Sequence, residues 1–146
     1  MIYLLAPVLL ALGAPQDSGI PIPFRIIDGH AESGFDAGME KFISSTPDWV
    51  AIWMERQRNV KTKIPHPNID FDRHVIVVVA MGKKNTDGYT VEITRMEKTK
   101  DDIRIYLRKT VPADPAKAKA KVTSPFVMAR IEKPDRPVVF LDEKSK

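Results

Sequence analysis

Three side chains that could bind a metal ion lie close together at the start of an apolar segment. Asp70, Asp72 and His74 alternate along the chain, and alternate residues of a strand project from one face. Carboxylates and imidazoles are common metal ligands, but a site requires further ligands that converge on the same ion. His30 and His66 stand in no strand or helix relation to this group. We therefore predict a capped, solvated strand start and no metal site.

Other residue motifs typical of catalytic sites are also missing from the sequence. Ser33 lies in the turn-like sequence ESGF rather than in a Gly-x-Ser-x-Gly motif. Asp101 and Asp102 stand in a polar turn, whereas an acid catalyst needs apolar surroundings that raise the pKa of its carboxyl group. The sequence contains no cysteine, which excludes thiol catalysis and disulfides within it. The sequence predicts a protein that is not an enzyme and needs no cofactor.

The segment MGKKNTDGYT, residues 81 to 90, resembles a phosphate-binding loop only superficially. In such a loop, Lys and Ser or Thr follow the second glycine and a helix begins there. Here Tyr89 and Thr90 follow Gly88, and an alternating strand pattern comes next. We predict that Gly82 ends a strand and that Gly88 adopts a positive φ. The polar residues between the glycines would then be exposed.

Strand patterns flank this loop. His74 to Met81 is a Val-rich apolar run, which predicts a central strand buried on both faces. Alternation of apolar and polar residues predicts two further strands joined by the hairpin EKTKDD. Their inward residues would be Tyr89, Val91 and Ile93 in one strand, and Ile103, Ile105 and Leu107 in the other. Weaker strand signals lie at 24–27, 39–44, 126–131 and 138–141, and a flexible basic loop is predicted at 110–125.

One helix is predicted after residue 45. Thr46 is a suitable N-cap, Pro47 fits the first helical turn, and Asp48 complements the positive end of the helix dipole. Trp49 and Trp53 share one face with Ile52. Two tryptophans could form a binding platform, but this spacing is more typical of a helix packed on a sheet.

These elements predict a β-rich α+β fold, either an antiparallel sandwich or a partly open barrel, with one packed helix. The 146 residues are enough for one domain with its own core, and 12 prolines argue against a helical bundle. We predict a signal peptide at 1–14, a linker at 15–23 and a single β-rich domain at 24–146.

The N-terminal sequence MIYLLAPVLLALGAP is apolar but too short to span a bilayer. It matches the hydrophobic region of a signal peptide, with Ala11 and Gly13 suitable for the −3 and −1 cleavage positions. Its first residues lack Lys or Arg, and the alternative is a buried N-terminal strand. We expect a periplasmic or secreted protein without a transmembrane span.

The net charge of +4 is mildly basic. A basic run extends from Arg104 to Lys121, but Tyr106 is the only aromatic residue within it. Nucleic-acid grooves interleave basic and aromatic side chains, so we predict no nucleic-acid partner.

The central motif resembles the C-terminal domain of the protease complex subunit PrcB family. In IDFDRHVIVVVAMGKKNTDGYTVEI, the matching features are the Asp70-Phe71 pair before the apolar strand, Gly82 at its end, the Thr86-x-Gly88-Tyr89 turn and Ile93 in the strand that follows. Weaker similarity extends from about residue 40 to 140, including Trp49, Trp53, Pro112 and Thr123 to Phe126. The resemblance implies a non-catalytic, extracytoplasmic protein that accompanies a protease.

A second, weaker resemblance is to chagasin-type inhibitors of papain-like cysteine proteases. These carry Asn-Pro-Thr-Thr-Gly-Tyr and Arg-Pro-Trp on neighbouring loops of a sandwich. Asn85 to Tyr89 is similar to the first motif and Arg136-Pro137-Val138 to part of the third. The first proline, the tryptophan and the Gly-rich second loop are missing here.

We therefore predict an exported module that binds a protein partner, with a protease as the candidate, and keep the chagasin-like inhibitor as the alternative. A loop on a stiff scaffold suits recognition because little ordering entropy remains to be lost on binding. The predicted contact residues are Lys84, Asn85, Thr86, Asp87, Gly88 and Tyr89, with Ser124 and Pro125 on the loop beside them.

Overall fold

The computed structural model describes residues 18–143. One helix, α1 (Thr46–Arg56), follows the first three strands, which are β1 (Ile20–Pro21), β2 (Arg25–His30) and β3 (Gly38–Ile43). The remaining strands are β4 (His74–Met81), β5 (Lys84–Thr86), β6 (Thr90–Lys98), β7 (Ile103–Thr110), β8 (Ala120–Thr123), β9 (Phe126–Glu132) and β10 (Val138–Asp142).

Two four-stranded sheets pack face to face. Sheet A has the strand order β1-β6-β7-β10, and sheet B has the order β2-β9-β4-β3. Helix α1 covers the outer face of sheet B, so the layers are helix, sheet B and sheet A. The predicted β-rich α+β sandwich is confirmed, and the described strands do not close into a barrel. One pair departs from the predicted antiparallel arrangement, because β10 runs parallel to β7.

Strand β4 lies at the centre of the fold, as its apolar sequence predicts. Val75, Val77 and Val79 belong to the core between the two sheets. Ile76 and Val78 belong to the second core, between sheet B and α1. Because both faces are buried, the strand reads as a continuous apolar run rather than an alternating one.

The predicted hairpin is formed by β6 and β7. Ile103, Ile105 and Leu107 are buried as expected. In β6 the alternation holds for Val91 and Ile93, and then an irregularity between Ile93 and Arg95 inserts one extra residue. This bulge moves Met96 onto the buried face.

Helix α1 begins one residue earlier than its sequence indicates. Ser45, not Thr46, is the N-cap, because Ser45 has the extended backbone and its Oγ accepts a hydrogen bond from the Asp48 amide at 3.4 Å. Trp49 and Trp53 are buried against sheet B. Their indole N–H groups donate to Pro67 O and Ile64 O, both at 2.9 Å. The two tryptophans hold the helix and the following loop on the sheet.

The segment 110–125, predicted as a flexible loop, contains a strand. Its residues Ala120–Thr123 form β8, which pairs with β5 in a two-stranded ribbon. Within the predicted linker, Ile20–Pro21 forms β1 and pairs with Glu97 and Lys98. The predicted signal peptide, residues 1–14, lies outside the described residues and stays a prediction. Helix α1 is too short to cross a membrane, and no other helix occurs within 18–143.

Candidate functional site: a ribbon and an open groove

The segment between β4 and β6 is held in place by its neighbours, and its strand β5 forms one half of the two-stranded ribbon with β8. Gly82 has φ of 79° and packs so closely that a Cβ atom there would lie 2.8 Å from Gly38 N. The Lys83 amide donates to Asp36 O at 3.0 Å. Lys84 to Thr86 then pair with β8. Both ends of the segment are therefore fixed by backbone contacts.

Two hydrogen bonds between Asp87 and Lys119 join the two strands at the tip of this ribbon. The Asp87 amide donates to Lys119 O at 3.1 Å, and the Lys119 amide donates to the Asp87 carboxylate at 3.0 Å. The Thr123 hydroxyl donates to Thr86 O at 2.8 Å. Gly88 has φ of 90°, which confirms the predicted positive φ, and it faces Pro112. These hydrogen bonds fix the backbone of the ribbon, so its exposed side chains project from a rigid support.

The predicted contact residues of this ribbon differ in exposure. Asn85 and Gly88 are exposed, whereas Lys84, Thr86, Asp87 and Tyr89 are half-buried. The Lys84 ammonium lies 5.3 Å from the centroid of the Tyr89 ring, within cation–π range. Among the predicted contact residues of the ribbon that carry a side chain, Asn85 is therefore the most exposed.

Ser124 and Pro125 are placed differently from the prediction. Ser124 is 6% exposed; its Oγ donates to Phe35 O and lies 2.9 Å from Ser33 Oγ. Its amide donates to Ala31 O at 2.8 Å. Pro125 is fully buried, and its carbonyl accepts from the Met81 amide at 2.9 Å. These contacts connect the start of β9 to β4 and to the segment 31–35, so both side chains are buried, and their contact with a partner stays a prediction.

A groove of about 370 Å³ opens next to Tyr89. It lies between the edge strand β2 of sheet B and β6 of sheet A. Ile26 pairs with Ala129 of the inter-sheet core, so it faces inward, yet it is 48% exposed because no strand of sheet A covers it. Apolar and aromatic residues form most of the lining, which includes Ile26, Tyr89, Val91, Ile93 and Val127.

Both strands that border the groove have an open edge. Strand β1 pairs with only the last residues of β6, and the Ile22 amide donates to Met96 O at 2.9 Å before the chain crosses to β2. Strand β2 pairs with β9 alone. Within 18–143, the first half of β6 and the outer edge of β2 therefore lack a strand partner. Unpaired backbone N–H and C=O groups at such edges can accept an added strand.

A small polar cluster stands at one end of β2. His30 is 64% exposed, and its Nε2 lies 3.2 Å from the Asp28 carboxylate. Arg56 donates to the same carboxylate from Nε at 2.5 Å. The sequence offered no periodic signal for the groove residues Ile26, Gly29 and His30, because their exposure depends on how two distant strands diverge.

The three candidate metal ligands do not form a site in the described residues. Asp70 and Asp72 lie in a turn before β4, where the Asp70 carboxylate accepts from the Asp72 amide at 3.1 Å. The His74 amide donates to Asp70 O at 2.9 Å. Residues 18–143 contain no group of three or more His, Cys, Asp or Glu side chains placed to hold a metal.

The two inhibitor-like segments lie far apart. Asn85 to Tyr89 leads into the first residue of β6. Val138 lies at the other end of that strand, because it pairs with Ile103, and Ile103 pairs with Lys98, the last residue of β6. These ends are the first and last of the nine residues of β6, and eight rises of about 3.3 Å place them roughly 26 Å apart. A chagasin-type wedge requires neighbouring loops, so this geometry does not support the alternative.

A family model described as the PrcB C-terminal domain matches residues 75–132. The match runs from β4 to β9 and includes the ribbon. The resemblance is thus confirmed over this segment, while α1 with its tryptophans and the Asp70-Phe71 pair lie outside it. No curated protein and no solved structure matched the chain significantly.

Proposed function

Since residues 75–132 match the PrcB C-terminal domain, we propose that this protein is an exported, non-catalytic binding module that accompanies a protease. In this proposal the groove between β2 and β6 receives an extended segment of the partner. The ribbon tip at Asn85 contacts the same partner beside it. The PrcB name supports the association with a protease, and the physical argument below supports the groove as the binding surface.

The proposal depends on the exposure of one apolar side chain beside two open strand edges. Ile26 faces inward and is 48% exposed, and the same groove is lined by Tyr89, which is half-buried, and by Val91, which is buried. Burial of apolar surface supplies affinity, and backbone hydrogen bonds to an open edge fix the orientation of an extended segment. Because hydrogen bonds such as that from the Thr123 hydroxyl to Thr86 O hold the ribbon that precedes Tyr89, little ordering of this side of the groove is required on binding.

The test is affinity capture from the native envelope fraction, with the captured protein identified as a protease or not. Ile26→Glu places a charge in the groove, and we expect it to reduce protease recovery about tenfold or more. Met54→Glu is the matched control, because Met54 is 64% exposed on α1 and away from the groove. If both variants recover the protease equally well, the groove is not the binding surface.

Separate measurements address the other parts of the proposal. Hydrolysis of generic ester or peptide substrates by the pure protein would contradict a non-catalytic role. Nanomolar inhibition of a papain-like protease would favour the inhibitor alternative. An intact N-terminus on protein confined to the cytoplasm would contradict export, whereas recovery of a shortened chain from the exported fraction would support it.

A further inference from the structure

The arginines of the described region divide into two groups. Seven of the nine form ion pairs with carboxylates, namely Arg56, Arg58, Arg73, Arg95, Arg104, Arg108 and Arg136. The other two are Arg25 and Arg130, neither of which has a carboxylate within ion-pair distance in residues 18–143. These two arginines also lie directly opposite each other, because Arg25 of β2 pairs with Arg130 of β9.

The pair lies on the face of sheet B that carries α1. Arg130 pairs with Ile76 on its other side, and Ile76 belongs to the core beneath the helix. Side chains of directly opposed residues approach each other closely, and like charges in this position destabilise a sheet. Arg130 is also half-buried. The site therefore carries excess positive charge that an anion would neutralise.

Nearby carboxylates do not supply this anion. Asp28 lies on the same strand but is bound to Arg56 and His30. Glu132 pairs across the sheet with His74 and borders the site, but forms no ion pair among the residues that the structure describes. The arginine pair thus remains available to a ligand.

Two hollows adjoin the pair, and both are lined by Arg25 and Arg130. One, of about 310 Å³, also has Ile26, Ile27, Pro67, Asn68 and Ile69 in its wall. The other, of about 230 Å³, is lined by Pro23, Phe24, His74, Ile131 and Glu132. Ile26 borders both the first hollow and the groove described above. The open edge of β2 therefore separates an apolar groove on one face from a cationic site on the other.

We propose that the partner segment is a strand that alternates apolar and acidic residues and pairs with the open edge of β2. Successive side chains of a strand point to opposite faces. One set would enter the apolar groove between the sheets, and the other set would reach Arg25 and Arg130. A carboxylate matches the planar fork of a guanidinium and can bind it through two hydrogen bonds. This inference rests on the proposed function and specifies the chemistry of the partner.

The direct test uses a fluorescein-labelled, end-blocked peptide of sequence VEVEVEV and measures fluorescence anisotropy with the pure protein. We expect saturable binding that weakens about tenfold in each of the variants Arg25→Gln and Arg130→Gln. Lys133→Gln is the charge-matched control, because Lys133 is exposed and lies outside both hollows, and it should bind within twofold of wild type. A peptide with Ser in place of Val should bind at least tenfold more weakly, and one with Lys in place of Glu should not bind.

Other results would overturn the inference. Equal affinity of the Arg→Gln variants and wild type would show that the arginine pair takes no part. If the Ser-substituted peptide bound as tightly as VEVEVEV, charge attraction alone would account for the binding, and the apolar side chains would take no part. Thermal unfolding of each variant distinguishes lost binding from lost folding, and we expect the Arg→Gln variants to be at least as stable as wild type.

The protease capture described above separates this inference from the proposed function. If the double variant Arg25→Gln/Arg130→Gln still captures the protease while Ile26→Glu does not, the groove remains the binding surface and the acidic pattern is refuted. If Ile26→Glu also captures the protease, the proposed groove fails as well. Loss of capture in both variants, with retention by Lys133→Gln, supports both proposals.

Discussion

Arg56 donates a hydrogen bond from Nε to the Asp28 carboxylate at 2.5 Å, which joins the last residue of α1 to the edge strand β2. Both side chains are largely buried, at 11% and 10% exposure. The Arg56 guanidinium also lies 5.4 Å from the Phe126 ring centroid. The contact therefore sets the position of β2 relative to the helix, and with it one wall of the groove.

Replacement of Arg56 by Ala should leave Asp28 as a buried charge without its main partner. We expect a loss of about 3 kcal/mol in the free energy of unfolding, measured by urea denaturation. Arg73→Ala is the control, because its pair with Asp70 is exposed and 3.7 Å long. That change should cost less than about 0.5 kcal/mol. Equal losses in the two variants would show that the Asp28 contact contributes no more than an exposed pair.

Replacement of Gly88 by Ala should strain the tip of the ribbon. The φ of 90° disfavours any side chain, and the new Cβ would lie 3.0 Å from Pro112 Cβ. We expect a loss of about 1–3 kcal/mol in the free energy of unfolding. Gly38→Ala is the control, because its nearest contact would be an ordinary 3.5 Å. A Gly88→Ala protein as stable as wild type would contradict the strained conformation.

Asn85→Ala tests binding by the same ribbon without straining it. Asn85 is exposed, so the substitution should leave the unfolding free energy within about 0.5 kcal/mol of wild type. We expect reduced protease recovery in the capture experiment. Unchanged recovery would show that the ribbon tip does not contact the partner.

Ser124→Ala tests the structural role assigned to this residue. The substitution removes the hydroxyl that donates to Phe35 O and contacts Ser33 Oγ. An unpaired buried acceptor costs about 1–3 kcal/mol, and we expect a loss of this size in urea denaturation. Ser44→Ala, at an exposed position, should be nearly neutral. If Ser124→Ala proves neutral, water satisfies the freed groups and the hydroxyl network is not required.

The contacts of Glu143 make the free energy of unfolding depend on pH in the acid range. A hydrogen bond from the Thr94 hydroxyl, followed by one from Arg95, lowers the pKa of Glu143 below its ordinary value of 4.5. Since the folded-state pKa is depressed, the stabilisation is present above pH 4.5 and is lost as the pH falls through the folded-state value. We expect Glu143→Gln to flatten the decline of unfolding free energy below pH 4.5.

A control variant and a change in salt concentration test whether Glu143 causes this pH dependence. Glu132→Gln removes a carboxylate that forms no ion pair with any residue of the range 18–143, so it should keep the wild-type slope. Added salt should reduce the contribution of Glu143, because the charges are near the surface and are screened. A slope in Glu143→Gln that equals the wild-type slope would contradict the role of the Thr94 and Arg95 contacts.

The sequence alone predicted the features that depend on local patterns. Burial on both faces of β4 follows from the apolar run at 74–81, and the inward face of β7 follows from Ile103, Ile105 and Leu107. Helix α1 was predicted from its start signals and the Trp49–Trp53 spacing. The cap was misplaced by one residue because Ser45 and Thr46 are both suitable caps, and only the backbone conformation distinguishes them.

The tertiary structure decided which distant segments meet. Strand β10 pairs parallel to β7, Lys84–Thr86 pairs with Ala120–Thr123, and Arg25 lies opposite Arg130. Periodicity reports which face of a segment is buried, but it carries no information on the neighbouring strand, which depends on the path of the loops. For the same reason Ser124 and Pro125 could be predicted as a loop but not as buried contacts. The groove exists because the chain leaves β6 for sheet B between β1 and β2, at residues 22–24, which leaves the first half of β6 without a strand partner within 18–143. No local pattern in the sequence encodes that crossing.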